Sequence, residues 1–141
     1  MTTLLADHRL GVMVSDSQVS DGERKWARRK VWRVGNSLAG YAGDSAQFGE
    51  WLAWYKAGMV DKHRKLDDLT VLVLRPEGLF FFDPFSDAPQ VVTKGREAIG
   101  TGGMAAMCAF EASGFTDPKR AVQIVCRHDA LSSGPVRLYR L

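Results

Sequence analysis

The chain has 141 residues, 45% hydrophobic and 25% charged, with a net charge of +3. That length most simply makes one domain over residues 1–141 with a sizeable core, and the composition excludes disordered, fibrous and disulfide-framework classes. No run is long or apolar enough to span a bilayer and no basic segment leads into an apolar signal, so the expected place is the cytoplasm, with no membrane partner. The mild positive charge permits an anionic partner without demanding one.

In chain order, Thr3 to Ala6, a turn at Arg9 to Gly11, and Val12 to Val14 read as a hairpin that holds the N-terminus at a sheet. Residues 24–33, RKWARRKVWR, interleave basic side chains with two tryptophans. The expectation there is a solvated loop and strand edge that becomes a strand through Val34. A nucleic-acid patch is the weaker alternative, because no nucleic-acid fold motif accompanies the charge. After a turn at Gly35 to Ser37 comes the short strand LAGYAG, and Asp44 or Ser45 then caps a helix over about residues 45–57. Phe48, Leu52, Tyr55 and Met59 recur at helical spacing as its buried stripe. Trp51 and Trp54 fall on other sides, which implies burial on more than one face or contact with another subunit.

A charged link over residues 61–68 precedes a hairpin, TVLVLRP and LFFFD turning at Glu77 and Gly78, which Pro84 ends. Gln90 to Thr93 is a further short strand. Ile99 leads into GTGG and a helix from Gly103 to about Ala112, closed by Gly114. Asp117 and Pro118 open another helix, carrying Val122, Val125 and His128, and VRLY makes a closing strand. Cys108 and Cys126 show no metal-ligand spacing and read as buried reduced thiols. His128 reads as a helix C-terminal charge, while His8 and His63 have no partner pattern.

Thr2 is where chemistry can start. Once Met1 is removed, Thr2 carries a nucleophile and a base on one residue: its hydroxyl can attack a carbonyl while its own α-amine takes the proton. An unperturbed α-amine has a pKa of about 7.7–8.0, so much of it is neutral at physiological pH. The plain alternative is an ordinary residue after an initiator methionine.

Antiparallel hairpins with helices grouped in pairs fit an α+β sandwich. With these elements in this order, the sequence resembles the N-terminal nucleophile hydrolases of the proteasome β-subunit and bacterial HslV type, over nearly the whole chain. Thr2 stands where the family has its terminal threonine, Asp16 where it has an aspartate after the first hairpin, and Lys30, in RKVWRV, where it has an active-site lysine. AGYAGDSAQF resembles the glycine turn into the first helix, with Gly43 as oxyanion donor. GTGG, with Thr101, resembles a GSGG turn. HDALSSG resembles HDAYSGG, so Asp129 and Ser132 match the residues that orient the nucleophile.

The resemblance implies a four-layer αββα sandwich of two antiparallel sheets. The stretch before LTVLVL is too short for the family's second long helix, which is expected to be shortened or missing; ring number and stoichiometry stay open. It also implies a threonine endopeptidase that self-associates into stacked rings, hydrolyses unfolded proteins or peptides in a chamber, and takes an ATPase unfoldase as partner. The reading calls for no cofactor and no metal ion. Lacking a propeptide of the eukaryotic kind, the chain would expose Thr2 by loss of Met1 alone, and Thr101 adds a methyl group where the family has serine. The alternatives are a catalytically silent ring-forming scaffold of the same fold, a basic binding module using residues 24–33, and hydrolysis of a small-molecule amide by the same nucleophile.

Overall fold

The structure, a computed structural model, describes residues 2–20, 23–60, 66–83 and 88–141. Strands β1 (Leu4–Asp7) and β2 (Val12–Ser15) form the first hairpin, and both are buried along their whole length. A sheet strand that is apolar on both faces needs a layer on each side. β3 (Gln18–Ser20) and β4 (Lys25–Ala27) pair as a separate two-stranded ribbon, and β5 (Val31–Val34), β6 (Ser37–Gly43), β7 (Leu69–Arg75), β8 (Gly78–Phe82) and β9 (Gln90–Val91) follow one another across a second sheet. β10 (Arg96–Ile99) and β11 (Arg137–Arg140) return to flank the first hairpin, giving the order β10-β1-β2-β11. All pairings are antiparallel.

The apolar residues partition into three cores that define the layers. Leu4, Ala6 and Met13 of the first sheet meet Leu38, Leu72, Leu74 and Leu79 of the second, so one core lies between the sheets. Leu5 and Val14, pointing the other way as strand alternation requires, pack with Ala106 and Phe110 of helix α2 (Gly103–Ala112) and Val122 and Val125 of α3 (Pro118–His128). Val71, Val73 and Phe82 on the outer face of the second sheet pack with Phe48 and Trp51 of α1 (Ser45–Lys56). The architecture is therefore the expected α+β sandwich, two sheets with helices on both outer faces. Among the described residues no helix lies between α1 and β7.

Both expected helix starts are present. Asp44 accepts from the amides of Ala46 and Gln47 at the start of α1, and Asp117 accepts from Arg120 with Pro118 in the first turn of α3. Several expectations need correction. Trp51, expected to one side of the buried stripe, lies on it: it is 2% exposed and stacks with Phe48 and Tyr55, with Phe82 edge-on at 5.2 Å. The apolar stripe of α1 runs through Phe48, Trp51 and Tyr55 because large rings reach across the three- and four-residue steps. Met59 lies beyond the helix in a left-handed turn (φ 57°). Cys108 is exposed, whereas Cys126 is half-buried. His8 has a partner, the Pro76 carbonyl at 2.8 Å. β10 carried no sequence signal, and residues 25–27 are a strand rather than loop, with Trp26 42% exposed. His63, Pro84 and most of the charged link fall outside the described residues. Among those described, no helix is long and apolar enough to cross a membrane.

Candidate active site

The first hairpin, the start of β5 and the turn before β11 meet at one buried carboxylate. Asp16 follows β2 directly, and its amide donates to the Thr3 carbonyl at 3.1 Å, which ties the N-terminal residues to the sheet. Its side chain is 0% exposed and accepts four hydrogen bonds. Oδ1 takes the Thr3 amide (3.0 Å) and Lys30 Nζ (2.9 Å), while Oδ2 takes the amides of Gln18 (3.2 Å) and Ser133 (3.3 Å). A carboxylate has about four lone-pair sites, so this one is filled.

Lys30, 2% exposed, immediately precedes β5. Burial pushes its pKa below the ordinary lysine value, and the charge and hydrogen bond of Asp16 only partly offset this. Cys126 lies within electrostatic reach of the same pair. Burial and the Asp16 carboxylate push its thiol up to about 11, against the pull of Lys30, so it is a protonated thiol and not a nucleophile at neutral pH.

Thr2 is 4% exposed and is backed by the GTGG turn, where the Gly102 amide donates to the Thr2 carbonyl at 3.5 Å. Gly100 has φ +89°, and a Cβ built there would lie 1.9 Å from the Thr2 carbonyl oxygen. Only glycine permits that approach. Gly43 is constrained likewise at the end of β6: φ is +116°, and a Cβ would lie 2.2 Å from the Asp68 carbonyl oxygen. That carbonyl accepts the Asp44 amide at 2.8 Å, so the entry to α1 is pinned to the turn before β7.

A second network lies on the other side of the N-terminal strand. Asp129, the C-cap of α3, accepts from the Leu131 amide (3.0 Å), Ser132 Oγ (2.8 Å) and Thr101 Oγ1 (3.3 Å). Ser132, 0% exposed, also shares a 2.7 Å hydrogen bond with Thr3 Oγ1. Burial alone would raise the Asp129 pKa, but the Leu131 amide and the Ser132 and Thr101 hydroxyls outweigh it and hold the group below the ordinary aspartate value.

Two cavities meet at Thr2. One, about 240 Å³, is lined by Thr2, Gln18, Lys30, Tyr41 and Ser45, with Gly43 at its edge. The other, about 640 Å³, is lined by Thr2, Gly43, Asp68, Gly100 and Thr101. Of the residues singled out in the sequence, Thr2, Lys30 and Gly43 share the first cavity, and Thr2, Gly43 and Thr101 share the second. Asp16 sits behind Lys30, and Asp129 and Ser132 reach the N-terminal strand through Thr3.

Thr3, Gln18, Ser133 and the Asp68 carbonyl were not anticipated. Thr3 and Ser133 adjoin recognised motif residues, so their nearness in sequence was a usable signal; the Asp68 carbonyl contact carried none. Among the described residues, no group of three or more His, Cys, Asp or Glu side chains could hold a metal ion.

The sequence matches no protein-family model and no curated protein. Solved structures do match over the whole chain. The complex of Thiobacillus denitrificans BPH with epoxomicin superposes with a TM-score of 0.77 at 20% identity, covering 99% of this chain and 98% of that one. A second structure of Thiobacillus denitrificans BPH gives 0.74 at 19% identity, covering 100% and 97%. Eukaryotic HslV from Trypanosoma brucei gives 0.69 at 22% identity, covering 99% and 100%. The chain thus has the HslV-like fold that its motifs implied.

Proposed function

We propose that this chain is a threonine-type peptidase subunit that, once Met1 is removed, uses Thr2 to cleave peptide bonds in unfolded proteins or peptides. The observation that carries this reading is the meeting of two cavities at Thr2 and Gly43, one of them walled by the Lys30 cation that Asp16 fixes at 2.9 Å. The HslV-like fold supports it, and so does the order of the motifs.

In this mechanism Thr2 Oγ1 attacks the carbonyl carbon of the scissile bond and its proton passes to the Thr2 α-amine. Lys30, as a cation beside the terminus, lowers the cost of the developing alkoxide and disfavours protonation of the amine. The Gly43 amide, at the entry to α1, donates to the oxyanion as it forms. The ammonium then returns its proton to the leaving amine, and an ester to Thr2 remains. Water, deprotonated by the same α-amine, attacks that ester and releases the threonine hydroxyl. Asp129 and Ser132, with Thr101, set the position of the N-terminal residues.

The same reading places the protein in the cytoplasm as a homo-oligomer of stacked rings whose chamber restricts access to unfolded chains, with an ATPase unfoldase delivering them. The test is hydrolysis of fluorescently labelled unfolded casein by the native protein and by Thr2→Ala, with particle mass measured on both by sedimentation. Hydrolysis by the native protein alone, with both forms assembled at equal mass, is the expected result. Equal assembly with no hydrolysis by either form would overturn the peptidase and leave a ring-forming scaffold.

A further inference from the structure

The cavity walled by Lys30 continues into a third, about 400 Å³, through two shared residues, Tyr41 and Ser45. Trp32, Phe48 and Leu52 give this extension apolar walls, and Arg28 lies at its side. Among the described residues no Asp or Glu lines it. Asp44, the one carboxylate among the described residues lining the first cavity, spends its Oδ1 on the α1 amides of Ala46 and Gln47.

Arg28 and Tyr41 supply donors to this lining. Gln18 is 3% exposed; its Oε1 accepts the Ser133 hydroxyl and its Nε2 is buried, so its amide is not offered to a ligand. Burial raises the Tyr41 pKa, the Arg28 charge acts against it and the Asp44 charge reinforces it, so Tyr41 keeps its phenolic proton at neutral pH and can donate.

Resting on the peptidase reading, we infer that these two adjoining cavities hold the side chain of the residue whose carbonyl is attacked, and that Arg28 and Tyr41 select glutamate there. The methylenes of glutamate pack on Trp32 and Leu52, and its carboxylate meets the Arg28 guanidinium and the Tyr41 hydroxyl, while the N-terminus of α1 offsets part of the Asp44 charge. Glutamine satisfies the donors but not the charge. Leucine leaves the donors unpaired, and lysine adds repulsion from Arg28. The larger cavity on the Thr101 side is left for the departing chain.

The test uses four peptide epoxyketones that differ only in the side chain on the reactive residue, Glu, Gln, Leu or Lys, with adduct formation followed by intact mass on the assembled, Met1-processed protein. The expected order is Glu, Gln, Leu, Lys, with glutamate at least tenfold faster than leucine. Arg28 is exposed, so its variants should fold. Arg28→Gln should bring the Glu-to-Gln rate ratio to about one, and Arg28→Glu should move the lysyl probe ahead of the glutamyl one. Fastest reaction with leucine or lysine in the native protein, or a Glu-to-Gln ratio unmoved by Arg28→Gln, overturns the selectivity and leaves the peptidase standing. No adduct with any probe overturns the peptidase reading itself, and this inference with it.

Discussion

Two carboxylates brace the N-terminal strand from opposite sides, and they are built differently. Asp16 is completely buried and spends its oxygens on the backbone amides of Thr3, just before β1, of Gln18 at the start of β3 and of Ser133 before β11, plus the Lys30 cation. Asp129 is partly exposed at the end of α3 and gathers one amide and two hydroxyls. Folding itself fixes the first; removing it leaves the buried Lys30 cation and three backbone amides without their acceptor. The second is a surface adjustment of the terminus. Stability and chemistry should therefore be coupled at Asp16 and separable at Asp129.

The largest effect is expected from Asp16→Ala. It strips the counter-charge from a lysine that is 2% exposed. Breaking a buried pair from one side costs about 3–5 kcal/mol, read as a lowered urea midpoint together with loss of hydrolysis. An unchanged midpoint would mean that Asp16 is not structural.

Gly43→Ala comes next. Its φ of +116° and the Asp68 carbonyl 2.2 Å from the added Cβ force a local shift. Strain of about 1–3 kcal/mol is expected in unfolding. If that shift removes the oxyanion donor, turnover falls about a hundredfold to a thousandfold. A stable variant with full turnover would remove Gly43 from the oxyanion role.

On the Asp129 side, Ser132→Ala removes bonds to both Thr3 and Asp129 from a fully buried hydroxyl and should cost about 1–3 kcal/mol. Thr101→Ala loses one exposed 3.3 Å bond and should stay within about 0.5 kcal/mol of the native stability while still slowing hydrolysis. Equal losses from the two variants would erase the contrast between them.

Acidity gives the smallest separation. The folded-state pKa of Asp129 lies below the ordinary value, so its contribution to stability is present above the unfolded pKa of about 3.9 and is lost as pH falls through the folded value. Lys30 has the opposite sense. Its folded pKa lies below the unfolded value of about 10.4, so between the two the unfolded chain binds more protons and stability rises with pH. The Lys30 cation is lost over the same window, so the alkaline limb of the rate profile should fall before free lysine would titrate. Asp129→Asn should flatten only the acid part of the stability profile; an unchanged acid limb would place the shift elsewhere.

Much of this was legible in the sequence where a local signal coincides with the tertiary outcome. Asp117 and Pro118 start a helix by their own geometry, and the apolar runs of β7 and β8 on either side of the Glu77-Gly78 turn announce a hairpin. Gly43 and Gly100 were visible as motif glycines, but the reason each must be glycine is a carbonyl brought from elsewhere in the chain, Asp68 in one case and Thr2 in the other. β10 was silent because its residues, REAI, gain strand character only by pairing with β1. Trp51 was misplaced since helical spacing alone cannot tell which of several aromatics the second sheet will face. Asp16 and Lys30 came from the family resemblance; their 2.9 Å ion pair needed the fold.

The central claim, that Thr2 is a working N-terminal nucleophile, is tested most directly by intact mass of protein purified from its own cell, before and after epoxomicin. The account predicts a chain lacking Met1 that gains one adduct on Thr2, with none on Thr2→Ala. A chain that retains Met1 and forms no adduct would contradict it.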